Sequence, residues 1–427
     1  MKKKILAMVL SAAMAATMLA GCGGSSTAST AASTAASKAA STAASTAAST
    51  AASTAASTAA SKAASTAAST AASTSGSSSD LLKGTEFEGV TAKGTYTFNV
   101  VVKSFQSTYW QAALKGMDQA VSELGSDKVS YTAQGPNSES DIADQVNMLN
   151  SAISAKPNGI ALAACDAESV KDSLTQAKTA NVPVVLFDTG VAGAPEGTVA
   201  ATIATDNGKA GLLAADKMHE ILKDKITSAT SQIRIGEINQ DATATNIQQR
   251  GLGFINEMIK LIIADGKTVA VTGNEYYVNA AEGANGKEAD ANVIIEVAVP
   301  AQTTVDLCST EASKIMSKSD TIGIFGSNQT SAEGVLAANN NLSVLNSDPS
   351  KGMVAIGFDA GSTIKGAISD GTMAGAITQS PLMMGYYCIY ALTACANGTT
   401  IKDMPMDGYW YDSTNMADPS ISPNLYD

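Results

Sequence analysis

From Tyr96 onward, apolar and polar positions alternate between two rhythms. The short apolar run "TYTFNVVV", ending at Val102, predicts a strand, and "YWQAALKGMDQAVSELG" behind it has helical spacing. "VSYTAQ" then precedes "SESDIADQVNMLNSAI", in which Ile142, Val146, Leu149 and Ile153 share one helix face. "GIALAAC" with "AESVKDSLTQAKTAN", then "VPVVLFD" and "TVAATIATD", complete a first series. A second series runs through "NGKAGLLAADKMHEIL", "SQIRIGEIN", "ATNIQQRGLGFINEMIKLI", "NVIIEVAVP", "TIGIFGSN" and "MVAIGFD". Strands this apolar, each bounded by a helix, predict a parallel sheet covered on both faces. Two series predict two such sheets in an α/β chain.

The chain ahead of this pattern has a different character. Lys2, Lys3 and Lys4 form a positive region, Ile5 to Leu19 an apolar one, and Leu19-Ala20-Gly21 a small-residue cleavage site before Cys22. The apolar run is shorter than the roughly 20 residues a membrane span needs, so it reads as an export signal over 1–21. "LAGC" resembles the lipobox of bacterial lipoproteins, which implies lipidation of Cys22 and anchoring outside the cytoplasmic membrane. Within residues 22–80, Ser25 to Ser79 is nearly pure Ser, Thr and Ala in a "STAA" register, broken only by Lys38, Lys62 and Gly76. Such a segment has too little apolar surface to offset its ordering entropy, and a disordered tether is expected.

Charge and cysteine usage narrow the classes. The formal net charge of −12 argues against nucleic acid and against a basic membrane-surface patch. Beyond Cys22, Cys165, Cys308, Cys388 and Cys395 show neither a disulfide framework nor metal spacing, and all four are expected as buried thiols. The enzyme signatures HExxH, GxSxG and the Walker lysine loop do not occur in the sequence. The only histidine, His219, sits in "AADKMHEIL" and is expected as a half-exposed helix residue without a catalytic partner. No enzyme, cofactor or metal is expected.

In open α/β sheets ligands bind beyond the carboxyl ends of the strands. Polar residues collect there: Gln106 and Ser107, Asp188, Asp206-Asn207, Asn328, Asp359 and Gln379. Together with "NVPVVLFDTGV", "IATDNGKAGLLAADKM", "RGLGF", "GSNQTSAEGV" and "AIGFDAGSTIKGAISDGTMAGAITQSP", they give Thr97 to Gly398 a pattern that resembles type I substrate-binding proteins of ABC transporters, especially the ribose- and galactose-binding group. The resemblance implies two Rossmann-like lobes with parallel sheets, joined by three crossovers near Ala204, Ser380 and Asp407. It makes 95–204 with 380–407 the N-terminal lobe, and 205–379 with 408–427 the C-terminal lobe. It also implies ligand contacts from Ser107, Tyr109, Trp110, Asp188, Asn207, Arg250, Asn328, Asp359 and Gln379. The chemistry suits a sugar: a carboxylate accepts two hydroxyl hydrogen bonds, a guanidinium donates two, and a ring's C–H face packs on indole.

Two departures bear on the ligand. Thr189 stands where many sugar binders have Arg, and Thr303, in "PAQTT", offers no aromatic face where the group often has one. The segment from Lys267 to Asn292 is extra to the pattern and is either a surface hairpin or part of the cleft rim. Plainer roles compete for single residues: aspartates after strands cap helices, Tyr109 and Trp110 fit a core stripe, and Arg250 fits a surface ion pair. The expected function is capture of a small polyhydroxylated ligand, a monosaccharide first, by a monomer that closes about a hinge and delivers it to an ABC permease. The alternatives are a sensing receptor that docks on a membrane signalling protein, or a binder of a sugar derivative or furanosyl signal.

Overall fold

The computed structural model describes residues 81–426. The export signal, Cys22 and the Ser/Thr/Ala segment lie outside the described residues. Two sheets organise the rest.

The first sheet contains β1 (Tyr96–Val101), β2 (Val129–Gln134), β3 (Gly159–Leu162), β4 (Val184–Phe187), β5 (Ala201–Thr205) and β12 (Met404–Met406), in the order β12-β5-β4-β3-β1-β2. Every pairing in it is parallel. Helices α1 (Thr108–Leu124), α2 (Ile142–Ser154), α3 (Lys171–Thr179) and α10 (Pro381–Ala396) cover it. Strands β3 and β4 are buried along their whole length, as "GIAL" and "VVLF" require of strands with both faces covered. One core joins Phe98, Val100 and Phe187 to Tyr386, Ile389 and Leu392 of α10, so a helix from late in the chain completes the first lobe.

The second sheet contains β6 (Ile233–Ile238), β7 (Val269–Gly273), β8 (Val293–Ala298), β9 (Thr321–Gly326), β10 (Val354–Phe358), β11 (Gly375–Thr378) and β13 (Tyr409–Tyr411), in the order β13-β11-β10-β9-β6-β8-β7. It is covered by α4 (Asn207–Ser228), α5 (Thr245–Ala264), α7 (Val305–Met316), α8 (Gln329–Leu342) and α9 (Ser362–Ser369). The all-parallel expectation is corrected at one edge: β13 runs antiparallel to β11, because the chain, two residues after leaving β12 of the first sheet, enters the second sheet at the carboxyl end of β11, with Tyr409 opposite Thr378.

The extra segment is neither a hairpin nor cleft rim. Residues 269–273 form β7, the parallel edge strand beside β8, and α6 (Glu275–Ala280) follows, with Tyr277 fully buried. The apolar "VAV" of β7 is what the sheet edge buries. The chain passes between the sheets three times: from β5 to α4, from β11 to α10, and from β12 to β13. Among the thiols, Cys165, Cys308 and Cys388 are buried and free, while Cys395 is only half-buried, a departure from the expectation of four buried groups. His219 also differs from expectation. It is 7 % exposed, and its Nε2 lies 2.7 Å from Asp265, because α4 packs this face against α5, at whose C-terminus Asp265 sits.

Candidate ligand-binding cleft

Two aspartates mark equivalent ends of the two sheets. Asp188 follows β4 with φ 62°, and Asp359 follows β10 with φ 73°. Each backbone N–H donates across to the neighbouring strand, Asp188 to Ile203 and Asp359 to Ile377, which holds the left-handed turn. That conformation costs a non-glycine residue about 1–3 kcal/mol and gathers at functional sites. Both carboxylates are thereby turned out of their sheets into the space between them, buried at 3 % and 5 % exposure.

Asp188 is the hub of the first sheet's side. Its Oδ1 accepts the Tyr109 hydroxyl, and its Oδ2 accepts Thr189 at 2.7 Å and the Asn246 amide of α5 at 3.1 Å. The Lys103 ammonium stands 3.5 Å from Oδ2 and donates to Asn246 Oδ1 at 3.2 Å. A carboxylate has about four acceptor sites; these partners crowd Oδ2, while Oδ1, with one donor, keeps room for another. Burial by itself would drive Lys103 toward neutrality, but the negative charges of Asp188, Glu139 and Asp241 together outweigh it, and its pKa lies above the ordinary value. Desolvation, reinforced by the Asp188 charge, pushes the Tyr109 phenol well above its usual range, so it remains a donor. Thr189, where an Arg was the reference pattern, spends its hydroxyl on Asp188.

Arg250 dominates the opposite side. It is 1 % exposed, which removes the surface ion-pair reading. Its Nε and Nη2 donate to Asn207 Oδ1 at 3.2 and 2.8 Å, its Nη1 donates to the Ser327 carbonyl at 2.7 Å, and its guanidinium lies 3.5 Å over the Phe358 ring. Asp359 accepts from Gln379 through Oδ1 and from the Gln329 backbone through Oδ2. Burial pushes the Asp359 carboxyl up, against the pull of Arg250 and these two donors. Asn328 caps α8 through a reciprocal pair with Ser331, and its amide donates to Gln240.

Trp110 is 2 % exposed and stands edge-on to Tyr109 and Phe187. Its indole N–H donates to Glu139 at 2.9 Å. The core and cleft readings of this residue therefore both apply: the ring belongs to the first lobe's core, and one side of it lines the chamber.

Hydrogen bonds span the two sides. Gln240 donates to Glu139 at 2.9 Å, Gln329 donates to Thr108 at 3.2 Å, and the Thr303 N–H donates to Ser140 at 2.7 Å. Together they close the chamber to about 30 Å³, room for one or two waters, so a larger ligand enters only when the two sides part.

Ser107, Tyr109, Trp110, Asp188, Arg250, Asn328, Asp359 and Gln379 all line this one chamber. Asn207 does not; it sits behind Arg250 and aims it, which makes it a positioning residue. Lys103, Glu139, Gln240, Asn246 and Gln329 also line the chamber and were not anticipated. A lysine directly after the apolar run of β1 was a visible signal for Lys103. The others come from loops and helix starts that no period marks.

The family of periplasmic binding protein domains matches residues 98–400. Solved structures share the fold. An ABC transporter solute-binding protein from Agrobacterium vitis with bound D-fucose is 25 % identical at a TM-score of 0.64, over 77 % of this chain and 100 % of that one. A Brachyspira murdochii protein described as an ABC transporter, LacI family transcriptional regulator, is 27 % identical at a TM-score of 0.62, over 78 % and 99 %. A carbohydrate transporter solute-binding protein from Agrobacterium radiobacter in complex with D-arabinose is 22 % identical at a TM-score of 0.63, over 78 % and 100 %. A search of curated proteins finds no match.

Proposed function

The chain belongs to the periplasmic binding protein domain family, whose members bind their ligands rather than transform them, and from that premise we propose that it captures a small neutral polyhydroxylated molecule, a monosaccharide first, between its two lobes. The observation that carries this reading is one chamber built from both sides of the cleft, with Trp110 and Tyr109 facing Arg250, Asn328 and Asp359. An aromatic face takes the C–H side of a sugar ring, and the guanidinium, amide and carboxylates take its hydroxyls. The neighbours solved with D-fucose and D-arabinose support this class.

The lobes in this reading comprise 95–204 with 380–407, and 205–379 with 408–427. Ligand contacts to both of them favour the closed state, and closure presents the loaded protein to an ABC permease. The family is extracytoplasmic, and among the described residues no helix is long and apolar enough to cross a membrane. Attachment through lipidated Cys22, with 22–80 as a tether, completes the proposal.

Calorimetry of the purified protein against pentoses and hexoses tests it. One of them is expected to bind saturably, and Trp110→Ala is expected to weaken that binding by about 1–3 kcal/mol, the range for a truncated aromatic platform or anchor. Full affinity in a folded Trp110→Ala protein would make the ring purely structural.

A further inference from the structure

The inner chamber opens onto a second, larger space. Ser107, Glu139, Gln329 and Thr330 line both. The outer space has a volume of about 330 Å³, against about 30 Å³ inside. It too is built from both sides of the cleft: Ser104, Gln106, Asn137 and Ser138 come from the loops after β1 and β2, and Thr303, Thr304 and Glu333 from the second lobe.

Its walls have a consistent chemistry. Serines and threonines leave the room that larger side chains would fill. Among the described residues, the side chains of Gln106, Asn137, Thr303 and Thr330 make no hydrogen bond inside the protein, although their neighbours and the Thr303 backbone do. Such uncommitted amides and hydroxyls can both donate and accept, as sugar hydroxyls do. The charged residues in the lining are Glu139 and Glu333, with no cation among them. A phosphate, uronate or other anion would meet only like charge there. No aromatic ring lines it, so an occupant is held by hydrogen bonds rather than by stacking.

We propose that this outer space is a second ligand subsite, and that the protein takes a neutral disaccharide or glycoside with one ring in the inner chamber and the second unit in the outer one. The proposal rests on the sugar reading of the inner chamber. It extends the ligand class from a single ring to a linked pair. Thr303 is central to it: the small side chain at this position keeps the outer space open, and its hydroxyl faces it uncommitted.

Calorimetry on the full protein separates the possibilities. The probes are D-glucose, D-galactose, D-fucose and L-arabinose, with the neutral disaccharides maltose, cellobiose, lactose and melibiose. At least one disaccharide is expected to bind tenfold or more tightly than its better-binding component sugar. Thr303→Val and Asn137→Ala are each expected to weaken that disaccharide by about three- to tenfold, the loss of one hydrogen bond, and to leave the monosaccharide within twofold. Both substitutions are conservative and lie at half-buried or exposed positions, so the fold is retained. A monosaccharide that binds as tightly as every disaccharide containing it overturns the second subsite while leaving the sugar reading standing. So do variants that leave disaccharide affinity unchanged or weaken both classes alike. Binding of neither class overturns both readings.

Discussion

At the scale of single residues, two buried ionisable groups give opposite lessons. Lys103 is a cation enclosed with a carboxylate partner, and removing one member of such a pair leaves the other uncompensated. Lys103→Met is expected to destabilise the protein by roughly 3–5 kcal/mol in urea unfolding, because Asp188 would then be buried without its ammonium. An unchanged midpoint would mean that Tyr109, Thr189 and Asn246 satisfy Asp188 by themselves. Glu237 has no cation. It is fully buried, accepts one bond from Asn239 at 2.9 Å, and its Oε2 has no partner, as also holds for Asn239 Oδ1 and Ser327 Oγ. Burial pushes its carboxyl well above the ordinary range, with Asn239 pulling weakly the other way. A group whose folded pKa is raised stabilises the fold while protonated, and that contribution is lost as pH rises from the unfolded value of about 4.3 through the raised folded one. Glu237→Gln removes this loss. Its Tm advantage over the wild type is expected to widen with rising pH across that window in scanning calorimetry, and parallel curves would assign Glu237 an ordinary pKa.

Elements decide where Arg250 points. It lies on α5, while Asn207, which fixes its guanidinium, opens α4, so the distance between these helices sets the aim of the side chain. Gly211 permits the close approach: a Cβ there would sit 2.1 Å from the Arg250 carbonyl. Gly211→Ala is therefore expected to push the helices apart, at a cost of about 1–3 kcal/mol for overpacking, and to weaken ligand binding although the residue touches no ligand. Thermal unfolding and calorimetry on the same preparation check both halves. A loss of stability with full affinity would show that Arg250 keeps its aim when the helices move. The C-terminal tail acts on the hinge in a comparable way. The Asn424 carbonyl accepts from Thr378 and its side chain from Ser380, while Tyr426 packs edge-on to Tyr109 and accepts the Ala360 N–H. The tail thus ties the β11–α10 crossover to both sides of the cleft.

For the whole molecule, the question is what holds the lobes closed. Gln329 to Thr108 and Thr303 to Ser140 are neutral hydrogen bonds worth on the order of 1 kcal/mol net each, whereas Gln240 to Glu139 and the buried bonds of Asn246 with Asp188 and Lys103 have charged partners and are worth about 1.5–3 kcal/mol each. Such contacts bias an open–closed equilibrium toward the closed form. Gln240→Ala removes one of them, together with the acceptor of the Asn328 amide, while Trp110 still holds Glu139. The ligand-free variant is expected to have a larger radius of gyration by small-angle scattering. A radius identical to the wild type would mean that this contact does not contribute to closure.

Much of this protein was determined by the sequence alone. Apolar runs of strand length between amphipathic helices required two covered parallel sheets, and polar residues at the strand ends marked Ser107, Asp188, Asn328, Asp359 and Gln379, because burial of a strand leaves only its end free for polar chemistry; Arg250, inside a helix, came only from the family resemblance. Periodicity reports one element at a time, however, and several features depend on two. The antiparallel β13, the edge strand β7, the pairing of His219 with Asp265 and the placement of Asn207 behind Arg250 each depend on a neighbour distant in sequence. The same holds for the chamber's remaining wall. Lys103 is charged and buried only because Asp188 from another strand and Asn246 from the other lobe meet it there, and no local pattern records a partner that arrives through tertiary packing.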